Sequence, residues 1–198
     1  MKASVFVGTS LDGFIARNDG TFDFLPAGGG EPHGYTEFMA TVDALVIGRH
    51  TFDTVAAFDA WPYAKPVFVL SSRALSPTLP GVLVERLAGP PAVVVAELAA
   101  RGIAHIYVDG GITIQRFLEA GLIDRLIVTR VPVLIGTGIP LFGAVSRDVL
   151  LTHVATRQYA SGLVQSEYAV RAVSGADGDV RALVEQEMKG GERGLARS

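Results

Sequence analysis

Ile106-Tyr107-Val108-Asp109-Gly110-Gly111-Ile112-Thr113 is the stretch on which the reading of this chain turns. An apolar, β-branched run ends at two glycines, and an amphipathic stretch of helical period follows directly. Strand, glycine turn and helix in immediate succession is the building unit of a parallel α/β sheet. Such a turn also suits an anion. Glycine lets a ligand approach the backbone closely, and a helix N-terminus offers unpaired N–H groups and a partial positive charge. A Gly pair also serves a plain tight turn, so the reading depends on how the other strands end.

Working outward, Ala3–Thr9 reads as a buried strand, followed by the turns Ser10-Leu11-Asp12-Gly13 and Asn18-Asp19-Gly20. Residues 26–34 form a Gly- and Pro-rich loop, and Tyr35–Thr41 reads as a helix. Further strands are expected at Ala44–Ile47, Val67–Leu70, Val82–Glu85 and His105–Val108. Helices are expected at Thr51–Ala56, Pro91–Arg101 and Thr113–Ala120, the second with Pro near its start and Gly102 at its end. Leu126–Val133 is a long strand, Leu134–Phe142 a Gly-rich loop, and Leu151–Tyr159 with Leu163–Arg171 alternates as a hairpin across Ser161-Gly162. Strands alternate with helices early and not late. The expected fold is therefore α/β, a mostly parallel sheet between helices with an antiparallel edge. Residues 1–172 read as one domain and 173–198 as a polar tail, with a short helix at Val180–Met188 capped by Asp179.

Composition narrows the function classes. The chain has 198 residues, 49% of them hydrophobic, enough for one domain with a sizeable core. A net charge of −3 gives no basic surplus for nucleic acid. No cysteine is present, which removes disulfides, zinc–thiolate sites and cysteine nucleophiles and agrees with a cytoplasmic home. No apolar run is long enough to cross a bilayer, no N-terminal signal is visible, and no metal site is expected.

In a parallel sheet the C-terminal strand ends lie along one edge, where ligands bind. Three of them carry anion-friendly residues: Gly48-Arg49-His50-Thr51, Ser71-Ser72-Arg73 and Gly110-Gly111-Ile112-Thr113. Backbone N–H groups, hydroxyls and guanidinium forks at three neighbouring ends suit a ligand with several phosphates, such as a dinucleotide. Each set has a plainer reading: Arg49 as a solvated or paired charge, Ser71-Ser72 as turn chemistry, His50 as a helix cap.

These segments, in this order, resemble the dihydrofolate reductase superfamily. The nearer resemblance is to the reductase domain of the bifunctional riboflavin-biosynthesis deaminase–reductase and its stand-alone bacterial relatives. It is carried by Ser10-Leu11-Asp12-Gly13-Phe14-Ile15-Ala16, by the run from Asp43 to Phe52, by Pro66 to Ser72, by Asp109-Gly110-Gly111, and by the runs 120–126 and 132–142. The resemblance covers about residues 2–171. It implies a three-layer α/β/α fold around an eight-stranded sheet, NADPH as cofactor, and a homodimer. It further implies that Gly48, Arg49, His50 and Thr51 hold the pyrophosphate and neighbouring phosphates. Leu70, Ser71, Ser72 and Arg73 then surround the adenosine and its 2′-phosphate, and Gly110, Gly111, Ile112 and Thr113 meet the pyrophosphate. Val7, Gly8 and Ile15 border the nicotinamide. Arg49 and Arg73, with no acid at the end of the second or third strand to take a free 2′-hydroxyl, favour NADPH over NADH.

The resemblance places a small heterocyclic substrate, of ribosylaminopyrimidine or pterin type, beside Ser10 and Asp12. Asp12 would donate a proton if its pKa is raised; its alternative is an Asx turn. Glu37, Trp61 and Gly138 are further substrate-side candidates, with a solvated face open for Glu37 and rim or dimer packing for Trp61. Leu126–Val133 and the final hairpin are candidate dimer elements. A zinc deaminase half needs paired cysteines, so it is excluded from this chain. The rival functional reading is a module of the same fold that binds NADPH or another nucleotide without turning it over.

Overall fold

The computed structural model describes residues 1–26, 31–76 and 81–171. The expected tail beyond residue 172, with its helix at Val180–Met188, lies outside the described residues, as do 27–30 and 77–80.

Eight strands form one sheet in the order β5-β4-β3-β6-β1-β7-β10-β9. They are β1 (Lys2–Ser10), β3 (Ala44–Gly48), β4 (Val67–Leu70), β5 (Val84–Leu87), β6 (His105–Asp109), β7 (Arg125–Val131), β9 (Leu151–Gln158) and β10 (Val164–Val170). The pairings from β5 through β7 are parallel, and β10 runs antiparallel to both β7 and β9. This is the expected α/β architecture. β2 (Phe14–Ala16) and β8 (Ile139–Pro140) make a small separate antiparallel sheet. Neither segment is long enough to show the alternation that marks a strand in sequence, and only tertiary contact brings them together.

The central strands read as continuous apolar runs because both of their faces are covered. Ala44, Leu45, Val46 and Ile47 are all 0% exposed. On one face, α3 (Pro91–Ala100) and α4 (Gly111–Glu119) bury Val94, Leu98, Ile114 and Phe117 against Val5, Val46, Ile106, Val108 and Leu126. On the other, α1 (Tyr35–Thr41) and α2 (Arg49–Ala56) bury Phe38, Phe52 and Val55 against Leu45, Ile47, Val69, Tyr107 and Ile127. Burying each of these large side chains contributes about 1.5–3 kcal/mol. The two layers pin every parallel strand in register, which fixes where the strand ends meet.

The two elements expected at an interface differ in exposure. β7 is hydrogen-bonded on both edges, to β1 and β10, and Leu126, Ile127, Val128 and Thr129 are buried. Arg130 at its end is exposed and Val131 half-buried. The hairpin differs: β9 is an edge strand, with Leu151 40% and Val154 55% exposed. Among the described residues no helix is long and apolar enough to cross a membrane.

Candidate active site

The two glycine turns face each other. Gly48 caps α2 and Gly110 caps α4, and neither cap is satisfied by a side chain. The first-turn N–H groups of two helices are thus left to a ligand. The turns also interlock. A Cβ on Gly48 would stand 2.7 Å from Thr113 Oγ1, and a Cβ on Gly110 would collide with Thr51 Oγ1. Gly110 has φ +92°, which a side chain tolerates poorly. Gly111 is closed in as well, since a Cβ there would lie 2.8 Å from Ile15 Cδ1. Gly48, Thr51, Gly110, Gly111, Thr113 and Ile15 are therefore one constellation. Ile112 points outward, 64% exposed, and offers only its backbone to the turn.

At the end of β4 the turn and ligand readings coexist. Ser71 Oγ accepts from Arg73 N at 3.1 Å and donates to Arg73 O at 2.8 Å, so the hydroxyl builds the turn. Arg49 is a paired charge: its Nε donates to Asp53 Oδ1 at 2.7 Å while NH1 donates to Ala74 O at 2.8 Å. That pairing ties α2 to the loop after β4 and stations the guanidinium beside Ser71–Arg73. Arg86 adds a cation the sequence reading missed; its NH1 donates to Ser71 O at 3.1 Å. Its strand is expected at Val82–Glu85, two residues short of the observed end, and it runs Val84–Leu87 with Arg86 beside Val69. His50 is exposed at the mouth of a cleft of about 670 Å³ between α2 and the loop after β2, with Phe22, Leu25 and Phe58 also on its walls.

A slot opens between β1 and β6. These strands pair only over Lys2–Ser4, whereas β1 stays paired with β7 through Ser10. Beyond Ser4 the two diverge, and Phe6, Val7 and Gly8 become partly exposed in the middle of an otherwise buried strand. Tyr107 Oη donates to the Phe6 carbonyl at 2.7 Å. Leu25 covers Gly8, where a Cβ would meet its Cδ2 at 2.8 Å. Val7 and Gly8 thus line a gap at the end of the central strands, next to the glycine turns.

Asp109 stands at this gap, at the end of β6. Burial pushes its carboxyl above the usual carboxylate range, and the Gly110 N–H only partly opposes this. Their own burial, with Asp109 as a smaller cause, pushes Tyr35 up to about 12 and raises Tyr63 and Tyr107 in the same direction. In the sequence Asp109 stands just past the expected strand His105–Val108, as the first residue of the Asp109-Gly110-Gly111 motif, and nothing in the pattern shows its burial.

The substrate-side residues divide. Ser10 is buried and its Oγ accepts from Phe14 N at 3.0 Å. Asp12 contradicts the raised pKa that donating a proton requires. The Ser10 hydroxyl and the N–H groups of Gly136, at 2.8 Å, and Ile135, at 3.3 Å, hold its carboxylate below the usual range. Asp12 is an ionised clasp between the loop after β1 and the loop after β7. Gly138 packs against Phe14 Cβ, 3.2 Å from where its own Cβ would be, so its bareness serves close packing on β2. Glu37 is exposed on the first turn of α1, as a solvated face predicts. Trp61 stacks edge-on against Phe52 and Tyr63 at 6.2 and 5.5 Å, as part of the core over α2.

With this geometry in place, relationship can be assigned. The family model described as the RibD C-terminal domain matches residues 2–165. The chain belongs to the RibD C-terminal domain family. The Bacillus subtilis protein YwjB, itself uncharacterized, is 32% identical over 175 residues, covering 86% of this chain and 98% of its own. Among solved structures, a candidate riboflavin biosynthesis protein from Shewanella sp. PV-4 is 39% identical with a TM-score of 0.81, over 87% of this chain and 100% of that one. The Thermotoga maritima diaminohydroxyphosphoribosylaminopyrimidine deaminase/5-amino-6-(5-phosphoribosylamino)uracil reductase shares the fold at 14% identity and TM-score 0.66, over 86% of this chain and 56% of that one. Enterococcus faecalis dihydrofolate reductase complexed with NADP(H) does so at 17% and 0.57, over 86% and 97%. The RibD-type domain is thus a dihydrofolate reductase-like fold, as its strand ends suggest.

Proposed function

We propose that this RibD-type domain is an NADPH-dependent reductase that delivers hydride to a small nitrogen heterocycle of the riboflavin-pathway type. One observation carries the reading: two bare helix N-termini are locked face to face by Gly48 against Thr113 and Gly110 against Thr51. That cradle, which any Cβ would fill, fits a pyrophosphate. Gly48–Thr51 and Gly110–Thr113 would hold it. Leu70–Arg73 would hold the adenosine end, where Arg49, Arg73 and Arg86 gather cationic charge suited to a 2′-phosphate. Val7, Gly8 and Ile15 would border the nicotinamide in the slot between β1 and β6.

The nicotinamide supplies the hydride; alignment and the proton are the protein's share. Val7, Gly8 and Ile15 would align the ring, and Leu25, which covers Gly8, would keep water from that side. Asp109, whose carboxyl burial pushes above the usual carboxylate range, is the proton carrier we assign in place of Asp12. Asp12 positions the Ile135–Gly136 loop instead. The exposed apolar edge of β9 supports a homodimer built on that strand.

Thermal unfolding with NADPH and NADH tests the cofactor. At a hundred-fold excess over Kd, NADPH is expected to stabilise by about 2.7 kcal/mol, roughly 5–10 °C in Tm, with NADH well behind. Equal shifts would remove the arginine argument, and no shift with either would remove the reductase.

A further inference from the structure

A polar row crosses the sheet just beyond the slot. Gly8 of β1 lies beside Thr129 of β7, Thr129 beside Gln165 of β10, and Gln165 beside Arg157 of β9. Side-by-side partners share a face of the sheet, and this is the face that carries Phe6 and Ile127. The chain entering α1 roofs the row with His33.

Gln165 is 2% exposed. Both N–H groups of its amide are used, donating to His33 O and Thr129 Oγ1 at 3.0 Å each. Its Oε1 is met only by Tyr159 Oη at 3.3 Å and Arg157 NH1 at 3.5 Å, both at the long end of hydrogen-bond range. The His33 ring stands edge-on to Tyr159 with centroids 4.8 Å apart. Its Nε2 is buried and, among the described residues, is the one buried side-chain nitrogen or oxygen without a hydrogen-bond partner. Buried polar atoms are seldom left so, because an unpaired group forfeits its hydration. Nothing in the packing of α1 or β10 demands a histidine here. A phenylalanine would make the same ring contact with Tyr159.

We infer that Gln165 and His33 read the cyclic amide edge, –NH–C(=O)–, of the substrate ring, and so determine specificity. Gln165 Oε1 accepts the ring N–H, and His33 Nε2, as the N–H tautomer, donates to the adjacent ring carbonyl. An acceptor beside a donor complements that edge and rejects a ring whose amide nitrogen is alkylated. The row begins at Gly8, so a ring read at Gln165 lies next to the slot. The inference rests on the reductase reading for the presence of a substrate, yet it uses none of the cofactor-binding residues.

The probes are 5,6-diaminouracil and 5,6-diamino-1,3-dimethyluracil, titrated by NMR with and without NADPH into the parent, His33→Phe and Gln165→Leu. His33→Phe keeps the ring contact with Tyr159 and the carbonyl that accepts from Gln165, so it removes only the ring nitrogens, Nε2 among them. An unchanged Tm and NADPH shift certify its fold. The parent is expected to prefer the unmethylated ring by about ten-fold or more, and each variant to lose about ten-fold of that preference. A parent that binds both rings alike, or neither, overturns the inference, as do variants that keep the preference. Discrimination that persists while NADPH fails to bind supports the Gln165–His33 reading and sinks the reductase reading instead.

Discussion

Gly110 carries two constraints at once, a φ of +92° and the hydroxyl of Thr51 where its side chain would be. Gly102 carries only the first, with φ +83° and open space around it. The pair separates backbone strain from steric contact. Gly102→Ala is expected to cost about 1 kcal/mol. Gly110→Ala is expected to cost about 2–4 kcal/mol, because overpacking adds to the strain, and to abolish the NADPH shift. Denaturant unfolding of both variants measures the difference. Asp109 makes a pH prediction. Its folded pKa is raised above the unfolded value of 3.8, so the folded state holds the proton more tightly than the unfolded chain. Stability from this group is full below pH 3.8 and is lost as pH rises toward the folded pKa. Asp109→Asn is therefore expected to raise Tm at neutral pH and to flatten its decline over that window, while slowing hydride transfer. A Tm at pH 7 below that of the parent would contradict the raised carboxyl of Asp109.

At the scale of elements, the Asp12 clasp and the β9 edge carry the predictions. Asp12→Asn should weaken the hold on Ile135 and Gly136, whose amides should exchange with solvent several-fold faster while the acid limb of the pH–rate profile stays in place. A shifted acid limb would return the proton to Asp12. Val154→Glu puts a charge on the exposed edge of β9 and is expected to convert a dimer to a monomer by sedimentation, with Tm of the monomer little changed. The strand–turn–helix units are legible in the sequence because each carries its own signal, an apolar run, a glycine and a helical period. What stays hidden has tertiary causes. β2 and β8 are too short to show a period. Arg86 sits one residue past an expected strand end. His33 and Gln165, 132 positions apart, become neighbours only when β10 takes its place beside β7.

At the scale of the molecule, two helix pairs on opposite faces hold the parallel strands in register, and this register brings Gly48, Leu70 and Asp109 to one edge. The strand–helix alternation along the chain shows that these ends share an edge. It does not show that β1 and β6 part company after Ser4, since divergence is set by the packing of Tyr107 against Phe6 and by the small β2–β8 sheet against Gly111. The slot so formed and the interlocked glycine turns are the core of the proposed reductase. Backbone amide NMR during an NADPH titration tests it most directly. The amides of Gly48–Thr51 and Gly110–Thr113 are expected to shift together and saturably, with those of Val7 and Gly8, while Gly102 stays still. NADPH that leaves both glycine turns unmoved would contradict it.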